Sequence, residues 1–562
     1  MITDRVRKIA GLAWFLPGFL LWAAYPPMGE MTDCLFALAP LMWLSRRSLP
    51  GESAKRWFQS GVFYWIATLC WMPAIVKNGG PWPLVVLGWF ALAVYCAGYF
   101  ALYGWLSAKY WAWARGRVSF GGGGKIPAGL GWRLLGVLFV EPVLWCGLEL
   151  VRSRLFGGFA WNLLGVVPAN GGFGAPAALG GVYLLSAVVI LVNGTAAGIA
   201  ERVWRVERSG FPFLRKLGAI ETLLAFAVVL CVYRCSSLVS STNAHQDGGE
   251  DCQSRSLKVA LVQRNFPCVF KEQTANPYEV YGRLLSNVAE LRPDRVVMAE
   301  SALAEFGPVD QQGADRFASF VREKTGAPLL AGGTRFGDGL TYNSAALYRA
   351  DGSIDVYDKV HLVPFGEFIP GDKLITSLQK LAPVGSCTPG ELKVLKMGPG
   401  EDCDRLGVAI CYEDTDSAQL RELANLGAGL LVFITNDSWF SDSIEAEAHA
   451  WQATARAIET GLAVVRVGNN GVTGTIAPDG RATWLADASG RPLVDHEGTM
   501  LDRVRLRPRL GADGGFCGYT TPYAAYGDIP LGTTFALFIV AMILVKYNTH
   551  YGKHRTLSLQ VG

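Results

Sequence analysis

Apolar positions along the chain follow two regimes. Up to about residue 236 they gather into long blocks at 9–27, 31–46, 58–76, 84–106, 132–151, 177–199 and 217–235. One more, IPLGTTFALFIVAMILVKY, covers 529–547. A bilayer core takes about 20 mostly apolar residues to cross as a helix, so the pattern predicts eight transmembrane helices. Two blocks are irregular: 31–46 is short and holds Pro40, and 132–151 carries Glu141 and Glu149. The first follows Arg5, Arg7 and Lys8 as a signal peptide would, but no small-residue cleavage site comes after it, which favours an uncleaved span.

From 236 to 528 the blocks give way to short apolar runs broken by turn residues. LKVALVQ (257–263), RVVMAE (295–300), PLLAGG (328–333), RLGVAIC, GLLVFITN, LAVVRV, GVTGTIAPDG and TMLDRVRL predict strands. NSAALYRADGSIDVYDKV predicts a hairpin turning at its Asp-Gly. Val280, Leu284, Leu285 and Val288 share one face of a helix over 277–291, and EAEAHAWQATARAIET predicts another. Strands alternating with helices, plus hairpins, predict an α/β layered domain with two packed sheets. The expected organisation is 1–235 with seven transmembrane helices, 236–528 as a globular domain, and 529–562 as the eighth helix with a short tail.

Composition supports the membrane reading: 51% of the 562 residues are hydrophobic, 17% are charged, and 15 of the 18 Trp precede residue 236. The formal charge of +4 identifies no partner. With no long basic stripe and no nucleic-acid motif, nucleic-acid binding is not expected. Charge placement says more. Arg46, Arg47, Lys55 and Arg56 fill one loop, Lys109, Arg115, Arg117 and Lys125 a second, and Arg202, Arg205, Arg208, Arg215 and Lys216 a third. The intervening turns hold only Lys77, with Arg152 and Arg154 a mild exception at a span end. Positive residues stay cytoplasmic, so both termini are expected inside and 236–528 outside. GGGG at 121–124 lacks a strand-to-helix context and reads as linker. FGGFAWNLLG (156–165) is too short and Gly-broken to span, and reads as a buried or re-entrant segment or as part of a lipid-facing entrance.

Three reactive side chains stand at predicted strand ends: Glu300 closes VVMAE, Lys359 follows VYD, and Cys411 closes GVAIC. A carboxylate, an ammonium and a thiol make a workable acyl-transfer centre, in which the thiolate attacks a carbonyl, the carboxylate takes its proton, and the cation holds the oxyanion. Taken singly, each also reads as structural: a strand-end acid, a solvated lysine, a packed small thiol.

The strings AES (299–301), YDKVHLVPFGEFIP (357–370), AICYED (409–414) and FITNDSWF (433–440) resemble the nitrilase superfamily. With the eight blocks, NNGVTGTIAPDG and TPYAAYGD, the whole chain resembles the apolipoprotein N-acyltransferase family, bacterial membrane enzymes that add the third acyl chain to lipoproteins. The resemblance implies a multi-pass α-helical membrane domain plus an extracytoplasmic αββα nitrilase-like domain. It implies Cys411 as nucleophile, Glu300 as general base and Lys359 as oxyanion-stabilising cation. Glu367 is implied as a second acid on the lysine, and Tyr412 and Glu413 as supporting residues. The Tyr412 N–H is a candidate oxyanion donor, while Glu413 either holds the loop or orients the incoming amine. Met298 and Ala299 stand where nitrilase sequences commonly carry Trp-Pro.

The implied reaction is ping-pong, from a phospholipid donor through a cysteine thioester to the amine of a diacylglyceryl-cysteine, in a monomer of the bacterial inner membrane. Neither cofactor nor metal is expected; His361 and His449 have no ligand spacing. Trp439 and Phe440 are a candidate substrate rim or a packed aromatic pair. Cys387 and Cys403 flank a Gly/Pro-rich loop and are a candidate disulfide. A membrane-tethered nitrilase or amidase, or a transport or structural module, are the alternatives.

Overall fold

A computed structural model describes residues 13–118, 128–209, 213–245, 255–267, 276–369, 386–398, 404–507, 509–510, 515–516 and 520–558. The GGGG stretch at 121–124 and Cys403 lie outside the described residues.

Among the described residues, five helices are long and apolar enough to cross a membrane: Pro50–Asn78, Trp82–Arg115, Leu130–Arg152, Ala177–Val203 and Ile220–Leu238. They fall on five of the eight predicted blocks. In the other three, the described apolar helices are shorter. The described part of block 9–27 forms Leu16–Ala23, and block 31–46 divides into Met31–Cys34 and Ala39–Ser45. Prolines account for these breaks: Pro17 and Pro40 open the helices they sit in, and Pro26 and Pro27 follow the first. The last helix is Ile529–Ser558, with a described apolar stretch over Ile529–Leu544. The seventh block's helix runs on past 235 to His245.

Glu141 is tolerated among these helices because it is fully paired. Its carboxylate takes the Arg46 guanidinium at 2.9 Å and the Trp111 indole N–H at 2.9 Å. Charged side chains in such a setting face the bundle interior and pair.

The second region is two six-stranded sheets packed face to face. One runs β12-β1-β2-β3-β4-β5, where β1 is Arg255–Gln263, β2 Arg295–Met298, β3 Leu329–Gly337, β4 Leu340–Tyr348, β5 Ile354–Asp358 and β12 Gly498–Leu506. The other runs β11-β10-β9-β8-β7-β6, with β6 Leu395–Lys396, β7 Arg405–Ile410, β8 Leu430–Thr435, β9 Val464–Gly468, β10 Gly474–Ile476 and β11 Ala482–Trp484. In each sheet three strands are parallel (β1-β2-β3 and β7-β8-β9) and antiparallel strands flank them.

Period-two alternation gives each strand two buried faces. Val259, Leu261, Val297 and Leu330 meet Val408, Ile410, Val432 and Ile434 between the sheets. Ala260, Val262, Val296 and Met298 point the other way, onto Tyr281, Leu284, Phe317 and Val321 of helices Pro277–Ala289 and Gln312–Thr325. Ala409, Leu431 and Phe433 pack on Leu420, Leu423, Ala453 and Ala457 of helices Ser417–Asn425 and Glu445–Thr460. The layering is αββα, as the resemblance implied.

Helix Glu445–Thr460 joins the two regions. Ala453 and Ala457 face its sheet, whereas Ala448, Ala455 and Ile458 belong to the apolar core of the membrane region. Alanines let this helix approach on both sides, and nearly every one of its residues is buried. Its Glu459 accepts the Val182 N–H at 2.7 Å, next to Gly180 and Gly181, where the long Ala177–Ser209 helix departs from helical geometry.

Candidate active site

Cys411 directly follows the buried strand β7 and opens the turn Cys411–Thr415. Its φ is +54°, a left-handed conformation strained for any residue with a Cβ. Such strain persists only where surrounding structure over-determines it, and it gathers at functional sites. Here Glu413 supplies the restraint. Its enclosed carboxylate accepts the Ile410 N–H at 2.8 Å, the Val360 N–H at 2.8 Å, the His361 N–H at 3.0 Å and the Tyr357 hydroxyl at 2.9 Å. One side chain thus ties the end of β7 to the end of β5. Glu413 has no free face.

Glu300 lies two residues past β2, buried at the edge shared by both sheets. Asn436 N–H donates to its Oε2 at 2.8 Å, and Asn343 Nδ2 donates to its Oε1 at 2.7 Å. The same amide nitrogen donates to Glu367 Oε1 at 2.7 Å, so Asn343 bridges the two acids. Lys359 Nζ is 2.9 Å from Glu367, which also accepts the Val363 N–H at 2.8 Å. The close approach here depends on Gly332 of β3, where a Cβ would come within 2.6 Å of the Glu300 Cα.

The electrostatics separate the two acids. Burial, and secondarily the Glu367 charge, raise Glu300 above the ordinary carboxylate range despite Lys359. Burial also pushes Glu367 upward, but Lys359 and the Val363 and Asn343 donors outweigh it and hold Glu367 below that range. Lys359 is raised: burial disfavours its charge, yet Glu367, Cys411 and Glu300 all favour it. Burial, with the negative charge of Glu300, pushes the Cys411 thiol well up, and Lys359 opposes this. Burial thus favours the neutral thiol and a neutral Glu300, while Lys359 and Glu367 favour each other's charge.

Tyr412 points out of the domain. Its hydroxyl accepts the Ala160 N–H at 3.2 Å, and its ring stacks on Phe159 at 6.4 Å and 13°. FGGFAWNLLG thus meets the Cys411–Thr415 turn, with residues 160–165 buried and Phe156 exposed. Trp439 and Phe440 are half-buried at the same seam. Phe440 packs edge-on against Trp71 at 4.8 Å, and Asn78 donates to the carbonyls of Ser438 at 3.1 Å and Trp439 at 2.8 Å. His361 sits edge-on to Tyr412 at 5.6 Å.

Sequence reasoning missed two things. Asn343 and Asn436 orient the acids; the only signal was an amide inside otherwise apolar strand text. Behind the Cys411–Thr415 turn, Arg466 of β9 pairs with Asp414, and His449 bridges Asp414 at 3.1 Å and Asp437 at 3.0 Å. Burial disfavours the His449 charge, but Asp414 and Asp437 raise it to about 10. An arginine in the strand VVRV was the available signal for this buried ion network. Glu445 brings a third polar group, its carboxylate oxygen lying within 4.8 Å of an Asp437 oxygen and a His449 ring nitrogen. The positive counter-charge in this cluster comes from Arg466 and His449.

Residues 17–195 match the apolipoprotein N-acyltransferase N-terminal domain, and residues 312–496 match the carbon-nitrogen hydrolase domain. The apolipoprotein N-acyltransferase of Geobacter metallireducens is 30% identical over 94% of this chain and 93% of its own. The chain belongs to the apolipoprotein N-acyltransferase family. It is an acyltransferase, built as a multi-pass membrane protein. The Methylococcus capsulatus member is 29% identical over 91% of this chain and 92% of its own. Among solved structures, a carbon-nitrogen hydrolase from Helicobacter pylori G27 is similar at 17% identity and a TM-score of 0.32, covering 44% of this chain and 88% of that one.

Proposed function

We propose that the enzyme moves an acyl chain from a phospholipid to the N-terminal amine of diacylglyceryl-cysteine on a lipoprotein, through a thioester on Cys411. Glu300 takes the Cys411 proton as the thiolate attacks the ester carbonyl of the phospholipid. Lys359 and the Tyr412 N–H receive the oxyanion. The tetrahedral adduct collapses, Glu300 returns the proton to the departing lysophospholipid oxygen, and the acyl-thioester remains. The acceptor amine then attacks the thioester, Glu300 removes its excess proton, and the thiol is regenerated as the amide leaves. Glu367 keeps Lys359 charged and placed, and Glu413 holds the turn. The observation that carries this reading is the bridge Glu300–Asn343–Glu367–Lys359 beside a strained Cys411.

The setting supports lipid substrates. Moving an acyl chain into water costs about 0.8 kcal/mol per CH₂, and the site abuts the membrane region through Tyr412 of the Cys411 turn and Phe440 of the segment after β8. In our reading the protein is a monomer of the bacterial inner membrane, with both termini cytoplasmic, the αββα domain periplasmic, and Trp439 and Phe440 beside the lipid entrance.

The test is mass spectrometry of the membrane enzyme incubated with labelled phospholipid before any acceptor is added. An acyl group on Cys411 is expected, with amide product on adding a diacylglyceryl-cysteine peptide, and neither from Cys411→Ser. An adduct on another residue, or turnover by the serine variant, overturns the mechanism. For topology, a reporter at Gly249 should read outside and one after Gly562 inside; both on one side would refute the orientation.

A further inference from the structure

Segment 156–165 is irregular backbone packed against the membrane helices, and such backbone needs donors and acceptors supplied by protein. Phe156, Gly157 and Gly158 take φ values of +57°, +87° and +81°, turning the chain back over the end of helix Glu141–Arg152. Gly158 has no alternative: a Cβ there would lie 2.3 Å from the Ser153 carbonyl oxygen. The returning strand is then held by two side chains of that helix. Arg152, buried, donates from Nη1 to the carbonyls of Phe159 at 3.0 Å and Trp161 at 2.9 Å. Glu149 accepts the Leu164 N–H at 2.8 Å. The Arg152 guanidinium also lies 4.8 Å over the Trp65 ring.

Between the two carbonyls that Arg152 holds is Ala160, and its N–H donates to the Tyr412 hydroxyl. Phe159, whose carbonyl Arg152 holds, is the ring stacked on Tyr412. Tyr412 is bonded directly to Cys411, whose left-handed backbone has little slack. A hydrogen-bonded path therefore runs from a membrane helix to the nucleophile without touching the acids or the lysine.

We propose that Arg152 is a positioning residue for acyl transfer, which through the 159–161 backbone and Tyr412 sets the attack geometry of Cys411 and the direction of the Tyr412 N–H. The proposal rests on the reading of Cys411 as acyl carrier. Misplacing a reacting atom lowers the rate of the chemical step while leaving ground-state binding alone.

The experiment is a double-mutant cycle on the full-length enzyme, reading acyl-Cys411 formation by rapid quench across phospholipid concentrations. Arg152→Met keeps the apolar stem without donors, and Tyr412→Phe removes one hydroxyl. Each is expected to lower the saturating rate about tenfold, with little change in the half-saturating concentration. Together they should cost little more than either alone, and Arg152→Lys should recover much of the rate. Independent effects that multiply to about a hundredfold overturn the path. So does a raised half-saturating concentration with an unchanged maximum, which would make Arg152 a lipid-binding group. If Arg152→Met does not accumulate folded, Arg152→Lys against Tyr412→Phe carries the same cycle. Wild-type enzyme without any Cys411 adduct would refute the function instead, whereas normal adduct in every variant refutes only the positioning role.

Discussion

Two charged clusters flank the turn that carries Cys411, and they are built differently. On one side Lys359, Glu367, Asn343 and Glu300 form a chain ending at the acid beside the thiol. On the other, Arg466, Asp414, His449 and Asp437 form a closed network. The Arg466–Asp414 side chains have no solvent exposure at all, whereas the Glu367 side chain keeps 14%. In the closed network Arg466 and His449 face Asp414 and Asp437, burial raises the neighbouring Glu445 well above the carboxylate range, and the network clamps the Cys411–Thr415 turn to the segment after β8. The open chain leaves one acid with its proton affinity raised. A raised acid alone therefore does not separate the two clusters; what differs is that Glu300 faces a thiol and Glu445 faces a buried histidine.

The largest test of this contrast is Arg466→Met. Removing one partner from a buried ion network leaves an uncompensated charge, which typically costs about 3–5 kcal/mol. Thermal unfolding of the purified enzyme should drop accordingly. Lys359→Met, at the more open chain, should lose acylation while unfolding nearer to wild type. Equal destabilisation by the two would erase the distinction.

Next in size is the division of labour between the acids. Glu300→Gln keeps the volume and loses the base, so Cys411 acylation should slow by about 10²-fold or more. Glu367→Gln can still accept a hydrogen bond from Lys359 and should lose less in that step. A rapid-quench comparison decides; if Glu367→Gln is the more damaged while both fold, the base is Glu367.

The smallest effect is on pH. Because burial raises Glu300, its base form is lost as pH falls while still above the ordinary carboxylate range of about 4.3. The acid limb of the acylation rate should sit there. Lys359 opposes that shift, so in Lys359→Met the residual activity should show its acid limb at higher pH. Stability runs in the opposite sense for the two acids. The lowered Glu367 contributes stability above its unfolded pKa that is lost as pH falls through its folded value. The raised Glu300 favours the fold at low pH, and that contribution is lost as pH rises through its folded value. An acid limb unmoved by Lys359→Met would show that Glu300 does not sense the lysine.

Much of the architecture was legible in the amino-acid order. Block length identified the five long membrane helices, and period-two runs located most of the strands, because both signals are local consequences of burying one or two faces. The hairpin at Asp351-Gly352 followed from turn chemistry, and β4 and β5 pair across it as expected. Glu300, Lys359 and Cys411 stood out as reactive groups at strand ends, and the motifs around them named the family. The two proline-bounded segments form shorter helices than their blocks, because hydropathy registers composition and not where a helix stops.

What only the tertiary structure decided is which groups face one another. Asn343 bridges two acids lying 43 and 24 positions away, and Ala160 meets Tyr412 across 252. Nothing in either stretch specifies the other, since a hydrogen bond between distant segments exists only after the chain has packed. The same holds for the sign of each carboxyl's shift. Glu300 and Glu367 are identical side chains, and only a shared amide, one lysine and unequal burial raise the first and lower the second.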